Sequence, residues 1–312
     1  MRLNLENFHL ITHAGCMDGS AAAILFVAAG GRKENMRFVS PDHVDDAIAE
    51  SKAAKDPNKQ LLMVDVCPSS DDTVIYLKDR GNSIVIDHHA SAKRFKDQPG
   101  FHIDAENKAC GCENFRLWLV KHGLVRFDQF PWRRFTQIID DHDRWLMNEP
   151  MSLQMPQLFS MVGQQEFVER FSDVEQRFVG QKESYWSPVE AEMLKLIKTH
   201  QDRRWLRAVD SVLTKPVEFE GKVYAMGYIV SGEINNSEFL HLILEKRPDL
   251  DCITQINFDL NKVSLRSNER LDITRFVKQF GGGGHRNAGG HPIPDGLSRQ
   301  IVEATHGKTD RG

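Results

Sequence analysis

Residues 83–89 read Ser-Ile-Val-Ile-Asp-His-His, and no other stretch constrains the chain as much. Three β-branched apolar residues run directly into three side chains that bind metals or move protons. Short continuous apolar runs mark strands buried on both faces of a parallel sheet, and open α/β sheets bind ligands beyond the carboxyl ends of such strands. Asp87, His88 and His89 therefore stand where an α/β protein keeps its chemistry. One Asp-His pair could equally be a salt-bridged surface turn, but two more strands end the same way. Residues 8–13 (Phe-His-Leu-Ile-Thr-His) lead into Ala-Gly-Cys-Met-Asp-Gly, and residues 60–65 (Gln-Leu-Leu-Met-Val-Asp) into Val-Cys-Pro. Three apolar runs thus deliver His13, Asp18, Asp65, Asp87 and both histidines to one edge of one sheet. Crowded carboxylates repel each other, and burying them unpaired is costly, so a cation is expected among them. Carboxylate and imidazole ligands without a ring of thiolates suit a hard or borderline divalent ion such as manganese or magnesium.

A chain of 312 residues can bury a sizeable core and has length for about two domains. The net charge of −4 argues against a binder of long nucleic acid that relies on a broad basic face. A small anionic substrate in a local cationic pocket is compatible with it. The N-terminal residues lack the apolar core of a signal peptide, and no run approaches the ~18 apolar residues of a membrane span. Five cysteines without regular spacing point to a reducing, cytoplasmic compartment and no disulfide framework. Cys110-Gly-Cys112 reads as small residues opening the helix that carries Phe115, Leu117, Trp118 and Leu119.

The periodicity predicts strands over 8–13, 36–40, 60–66 and 83–87, alternating with helices over 18–29, about 43–53 and 70–80. Such alternation means a parallel sheet with helical crossovers. Helices follow over 110–122 and 128–143, with Pro131 in the first turn of the second. That helix ends in Ile-Ile-Asp-Asp-His-Asp-Arg-Trp at 138–145, where negative charge opposes the helix dipole. A metal ligand is expected there, Asp141 ahead of Asp140 and Asp143. Residues 151–207 are helical and polar with no site-like cluster, and 190–206 form a long connecting helix. From 208 the texture becomes strand-like, at 217–228 with a turn at Glu220-Gly-Lys222, at 252–258 and at 262–267. The expected architecture is α/β: a parallel-sheet, metal-binding catalytic domain over 1–189, a connecting helix over 190–207, and a smaller α/β substrate-binding domain over 208–312.

Residues 280–290 read Phe-Gly-Gly-Gly-Gly-His-Arg-Asn-Ala-Gly-Gly. Four glycines are out of place inside a helix or strand, since each costs about 1 kcal/mol relative to alanine. Bare backbone beside a helix N-terminus does let phosphate oxygens approach N–H groups. The run is therefore expected to lead through His285 and Arg286 into a helix of small residues, with Arg266 supplying a bidentate counter-charge.

Asp87-His88-His89, the upstream His13…Asp18-Gly19 and the late Gly-Gly-Gly-Gly-His285 occur in one order from about residue 8 to about residue 293. Together they resemble the DHH phosphoesterases that carry a C-terminal DHHA1 domain. The resemblance implies a two-domain, manganese-dependent hydrolase of phosphate esters, with magnesium or another divalent ion as the alternative. It implies two metal ions about 3.5–4 Å apart, as in two-metal phosphoryl chemistry. His13 and Asp65 would serve one ion, and Asp18, Asp65, His88 and Asp141 the other, with Asp65 bridging. Asp87 would orient a histidine, and His89 would touch the scissile phosphate or leaving group. Arg266, Ser267, Gly282, Gly283, Gly284 and His285 would hold the terminal phosphate or base of the substrate.

One departure stands out, because Cys16 occupies a slot where many relatives have a carboxylate. It resembles the His-x-x-Cys-x-Asp-Gly pattern of an NrnB-like branch. Cys16 is either a soft ligand or a small residue beside a site served by water, and thiolate is a poor match for manganese. The implied activity is hydrolysis of short linear oligonucleotides, foremost dinucleotides such as pGpG, by metal-activated hydroxide in a cleft between the domains. A RecJ-like exonuclease would need a basic channel or an added single-strand-binding domain. A pyrophosphatase or polyphosphatase and a cyclic-dinucleotide phosphodiesterase would share the metal motifs, and a nucleotide-binding module without turnover is the alternative from another class. A homodimer is compatible with the family.

Overall fold

The computed structural model describes residues 4–51, 53–179, 185–233, 236–297 and 300. The chain divides into two compact units, Met1–Leu194 and Lys195–Gly312.

The first unit is built on a five-stranded, all-parallel sheet in the order β2-β1-β3-β4-β5. Its elements are β1 (Phe8–His13), α1 (Met17–Ala28), β2 (Met36–Val39), α2 (Val44–Glu50), β3 (Gln60–Val64), α3 (Asp71–Arg80), β4 (Ser83–Asp87) and β5 (Phe101–Ile103). The helices α4 (Gly111–Lys121), α5 (Phe130–Asp143), α6 (Pro150–Arg170) and α7 (Val174–Arg177) follow. The apolar runs that announced β1, β3 and β4 are buried on both faces. On one face Leu61, Met63 and Val85 pack with Val44 and Ile48 of α2 and Val74 and Leu77 of α3. On the other lie α1 and α4, and the buried Ala21, Ala22 and Ala23 let α1 approach the sheet closely. Strand β5 was not anticipated, because its three residues are too few for a periodicity to show. The chain leaves β1 for β2 on one side and returns through α2 to β3 on the other. The carboxyl ends of β1 and β3 therefore flank a topological switch point, the usual ligand position in such a sheet.

Helix α8 (Pro188–Asp210) runs across the boundary into the second unit. The second unit has a six-stranded sheet in the order β10-β11-β9-β8-β7-β6, in which only β7 and β8 pair in parallel. The strands are β6 (Leu213–Phe219), β7 (Lys222–Val230), β8 (Cys252–Asn257), β9 (Lys262–Ser267), β10 (Gly283–His285) and β11 (Ala288–Pro292). Helix α9 (Asn236–Lys246) packs Phe239, Leu240 and Ile243 against Trp205 and Ile253, while α10 (Ile273–Lys278) packs Ile273, Phe276 and Val277 on Val263 and Leu265. The hairpin foreseen at Glu220-Gly221 has both residues at positive φ (50° and 74°), as a two-residue type I′ loop requires.

The glycine-rich run is a correction to the expected helix start. It forms the antiparallel hairpin β10–β11, with Gly283 opposite Gly290 and His285 opposite Ala288. Glycine is needed for closeness, since a Cβ on Gly284 would lie 2.4 Å from the Ala288 carbonyl oxygen and one on Gly289 would lie 2.7 Å from Ile273 Cγ2. Among the described residues, no helix is long and apolar enough to cross a membrane.

Candidate metal centre

Three strand ends meet at Asp65. β1 finishes in His13 and β4 in Asp87, and β3 is followed at once by Asp65. The Asp65 N–H still pairs with the Ile86 carbonyl (3.0 Å), but its φ of 61° turns the chain left-handed and aims the carboxylate inward. That conformation is uncommon away from glycine. The buried carboxylate faces three imidazoles. His13 Nδ1 lies 3.3 Å from Oδ2, while His88 Nε2 and His89 Nδ1 lie 3.3 and 3.8 Å from Oδ1. His88 Nε2 also has Asp143 Oδ2 at 3.5 Å and Asp18 Oδ2 at 3.7 Å. One ring nitrogen thus confronts three carboxylates.

Asp18 lies on α1, and its carboxylate seals the start of α4. Oδ2 accepts from Gly111 N and Oδ1 from Cys112 N, both at 2.7 Å, so an anion occupies a helix N-terminus. Only glycine fits at 111, where a Cβ would stand 2.7 Å from Asp65 Cβ and 2.9 Å from Asp18 Oδ2. Sequence reading gave Cys110-Gly111-Cys112 the opening of a helix, which it is, but missed that the same N–H groups hold a site residue. The β1–α1 turn has its own clamp in Gln164. Its Oε1 accepts from Gly15 N (3.1 Å), and its Nε2 donates to the His13 carbonyl (3.2 Å) and Ser20 Oγ (3.0 Å). Gln164 reaches the turn because α6 breaks at Gly163, where φ is 78°. Residues 151–207 were expected to hold nothing site-like. A lone polar residue 144–151 positions from its partners leaves no sequence signal.

The electrostatics describe a site short of positive charge. Burial first, then Asp65 and Asp143, push the Asp18 carboxyl well above its usual range. Burial likewise raises Asp143 to about 6, with His88 opposing and Asp65 adding. For His88, burial disfavours the cation, but the hydrogen bond to Asp65 and the charges of Asp143 and Asp18 outweigh it, to about 11. For His89, burial is again outweighed, here by the bond to Asp87, and it rises to about 9. Carboxylates that draw protons this strongly onto imidazoles fit a cation. Three buried atoms, His13 Nδ1, Asp65 Oδ2 and Asp87 Oδ2, lack a hydrogen-bond partner, and the first two face each other without bonding geometry. Ligand atoms of His13, Cys16 and Asp65 lie within 4.8 Å of one another, as do those of Asp18, His88 and Asp143. These residues fit a divalent ion.

The other expected ligands are distributed differently. Asp141 does not join the cluster; its carboxylate accepts from Asn148 N and Glu149 N, each at 3.1 Å, ahead of α6. Asp140 accepts from Cys110 N (2.7 Å) and Arg144 Nε (3.0 Å). Asp143 is the member of that acidic triplet beside His88, because Asp141 and Asp143 on one helix point in different directions. Asp87 takes His89 Nδ1 at 2.7 Å and the His88 N–H at 2.8 Å on the same oxygen. Cys16 sits beside His13 and Asp65, with burial and then Asp65 pushing its thiol up, which favours the neutral form.

In the second unit, Arg266 and Ser267 alternate to opposite faces of β9. Arg266 donates to the Leu265 carbonyl and to Ser237 Oγ, and among the described residues it has no carboxylate partner. The Ser267 hydroxyl is buried and donates to the Leu271 carbonyl at 2.8 Å, so it is committed within the unit. Gly283, Gly284, His285 and Arg286 are exposed on the glycine hairpin, and Gly282 is half-buried.

No family model matches the chain. It is 23% identical to oligoribonuclease NrnB of Bacillus subtilis over 313 residues, which covers 95% of this chain and 75% of the relative. Among solved structures it is similar to PggH, a pGpG-specific phosphodiesterase from Vibrio, with 14% identity and a TM-score of 0.51 over 96% of this chain and 97% of that one. It is also similar to the DHH domain of a protein grouped with a family of ribosomal proteins, with 15% identity and a TM-score of 0.56 over 95% and 85% of the two chains. The structural likenesses bear on the fold alone, a parallel-sheet unit followed by a second sheet.

Proposed function

We propose, from a chain that belongs to the DHH/DHHA1 phosphoesterases and to their NrnB-like kind, that it is a phosphodiesterase cleaving short linear oligonucleotides to mononucleotides. Dinucleotides such as pGpG are the foremost substrates, in keeping with the activity named for PggH. The observation that carries this is the buried Asp65 carboxylate, shared between His13 and the His88 cluster, with its buried Oδ2, the oxygen facing His13, unbonded. A shared carboxylate between two ligand groups suits a two-metal phosphoryl site.

His13, Asp65, Asp18, His88 and Asp143 would hold two manganese ions, with magnesium as the alternative. When bound, such ions neutralise phosphate oxygens and make hydroxide available near neutral pH. The remaining work falls to the chain. His89, fixed by Asp87, would donate to the phosphoryl oxygens or the leaving group as charge gathers there. Asp87 would keep that ring oriented. In the second unit Arg266, a guanidinium without an acid partner among the described residues, would take a terminal phosphate. Five free thiols suit the reducing cytoplasm as its compartment.

The test is mononucleotide release from pGpG, pApA, a ten-nucleotide RNA, cyclic-di-GMP and polyphosphate, with manganese or with chelator. The expected result is manganese-dependent cleavage confined to the dinucleotides. Rapid shortening of the longer RNA would make it a general exonuclease instead. Binding of dinucleotides without any cleavage would make it a recognition module.

A further inference from the structure

We propose that Asn107 is a positioning residue that fixes the tautomer and ring direction of His88 and so decides whether that histidine can serve a metal. The inference rests on the metal-site reading above. Asn107 Oδ1 lies 2.8 Å from His88 Nδ1, while the opposite ring nitrogen faces Asp65, Asp143 and Asp18. An imidazole that offers its Nε2 lone pair carries its remaining proton on Nδ1. An amide oxygen at Nδ1 accepts that proton. With the amide turned over, an N–H would meet Nδ1 and force the proton onto Nε2, which blocks coordination.

The two adjacent histidines therefore have different orienting groups. His89 has the Asp87 carboxylate, and the same oxygen takes the His88 backbone N–H. A carboxylate favours a cationic ring, whereas a neutral amide holds His88 without adding a further negative charge beside three carboxylates. The placement is built rather than incidental. Asn107 has a φ of 52°, a left-handed conformation that asparagine tolerates better than most residues. Its loop is pinned from one side by Asp104, whose Oδ2 accepts from Lys108 N and Ala109 N (2.6 and 2.8 Å). From the other side Arg144 Nη1 donates to the Asn107 carbonyl (3.2 Å), and Arg144 Nε holds Asp140, which in turn takes the N–H of Cys110. Arg144 directly follows Asp143, so one arginine ties the Asn107 loop to the segment that supplies a ligand.

The experiment compares full-length wild type, Asn107→Asp and Asn107→Leu. Manganese affinity is read by calorimetry, and the His88 ring nitrogens by 15N NMR in the magnesium-loaded protein. Asp keeps an oxygen acceptor and Leu keeps the volume without one. The expected result is 10- to 100-fold weaker binding in Asn107→Leu, as for other groups behind a metal-bound histidine, with Asn107→Asp within a few-fold of wild type. The wild-type spectrum should show Nδ1 protonated, a readout that stands even if Asn107→Leu folds poorly. Unchanged affinity in Asn107→Leu, or a His88 Nδ1 without its proton, would overturn the inference and leave the metal centre intact. Failure of wild type to bind manganese would overturn both.

Discussion

Replacing Asp143 by asparagine should stabilise the metal-free protein at neutral pH while weakening its grip on metal. Burial, with Asp65 adding, lifts the Asp143 carboxyl from the usual range to about 6. A raised carboxyl pKa means that the folded chain binds the proton more tightly than the unfolded chain does. The associated stability is therefore full below the unfolded value near ~4 and is lost as pH climbs through about 6. At ~1.4 kcal/mol per pH unit the loss would approach ~3 kcal/mol. A quarter of the side chain is open to water, and screening brings the figure to ~1–2 kcal/mol. Asparagine cannot ionise and escapes that loss. Urea unfolding in chelator at pH 7.5 should show Asp143→Asn more stable than wild type by about that much, with the gap closing near pH ~4. Manganese reverses the order, since a ligand at a hundred times its Kd adds ~2.7 kcal/mol to a protein that binds it. Asp141→Ala should behave oppositely. It removes the acceptor for Asn148 N and Glu149 N and costs ~1–3 kcal/mol, with the manganese increment unchanged. The reasoning fails if Asp143→Asn is the less stable protein in chelator and gains as much from manganese as wild type, or if Asp141→Ala loses that gain.

Gln164→Ala removes three bonds to the β1–α1 turn, and calorimetry should show manganese binding weakened by roughly tenfold. Gln164→Glu, which keeps only the acceptor for Gly15 N, should fall between the two. Gly111→Ala would drive a methyl into Asp65 and Asp18, and its melting temperature should no longer rise with manganese while far-UV circular dichroism is retained. Gly284→Ala, at a φ of 143° against the Ala288 carbonyl, should destabilise the second unit by ~1–3 kcal/mol and leave manganese affinity unchanged.

What could be read from sequence was what the backbone period encodes. Apolar runs at β1, β3 and β4 place His13, Asp65 and Asp87 at strand ends, and the structure brings these together. The acidic triplet at 140–143 was harder, because helical phase over three residues depends on where the helix stops. Asp141 is turned toward the start of α6, and Asp143 toward His88. The glycine run misled for a different reason. A propensity penalty is a local quantity, whereas Gly284 and Gly289 are set by backbone packed against Ala288 and α10. Asn107 and Gln164 gave no signal, since a single amide acts through partners that only the fold supplies.

The most direct test of the central claim follows GMP release from pGpG by wild type and Asp65→Asn, with manganese occupancy measured by calorimetry on the same samples. Hydrolysis by wild type that chelator abolishes, and a loss of about 100-fold or more in Asp65→Asn, would agree with a metal centre organised around that carboxylate. Undiminished hydrolysis by Asp65→Asn, or turnover by wild type in chelator, would contradict it.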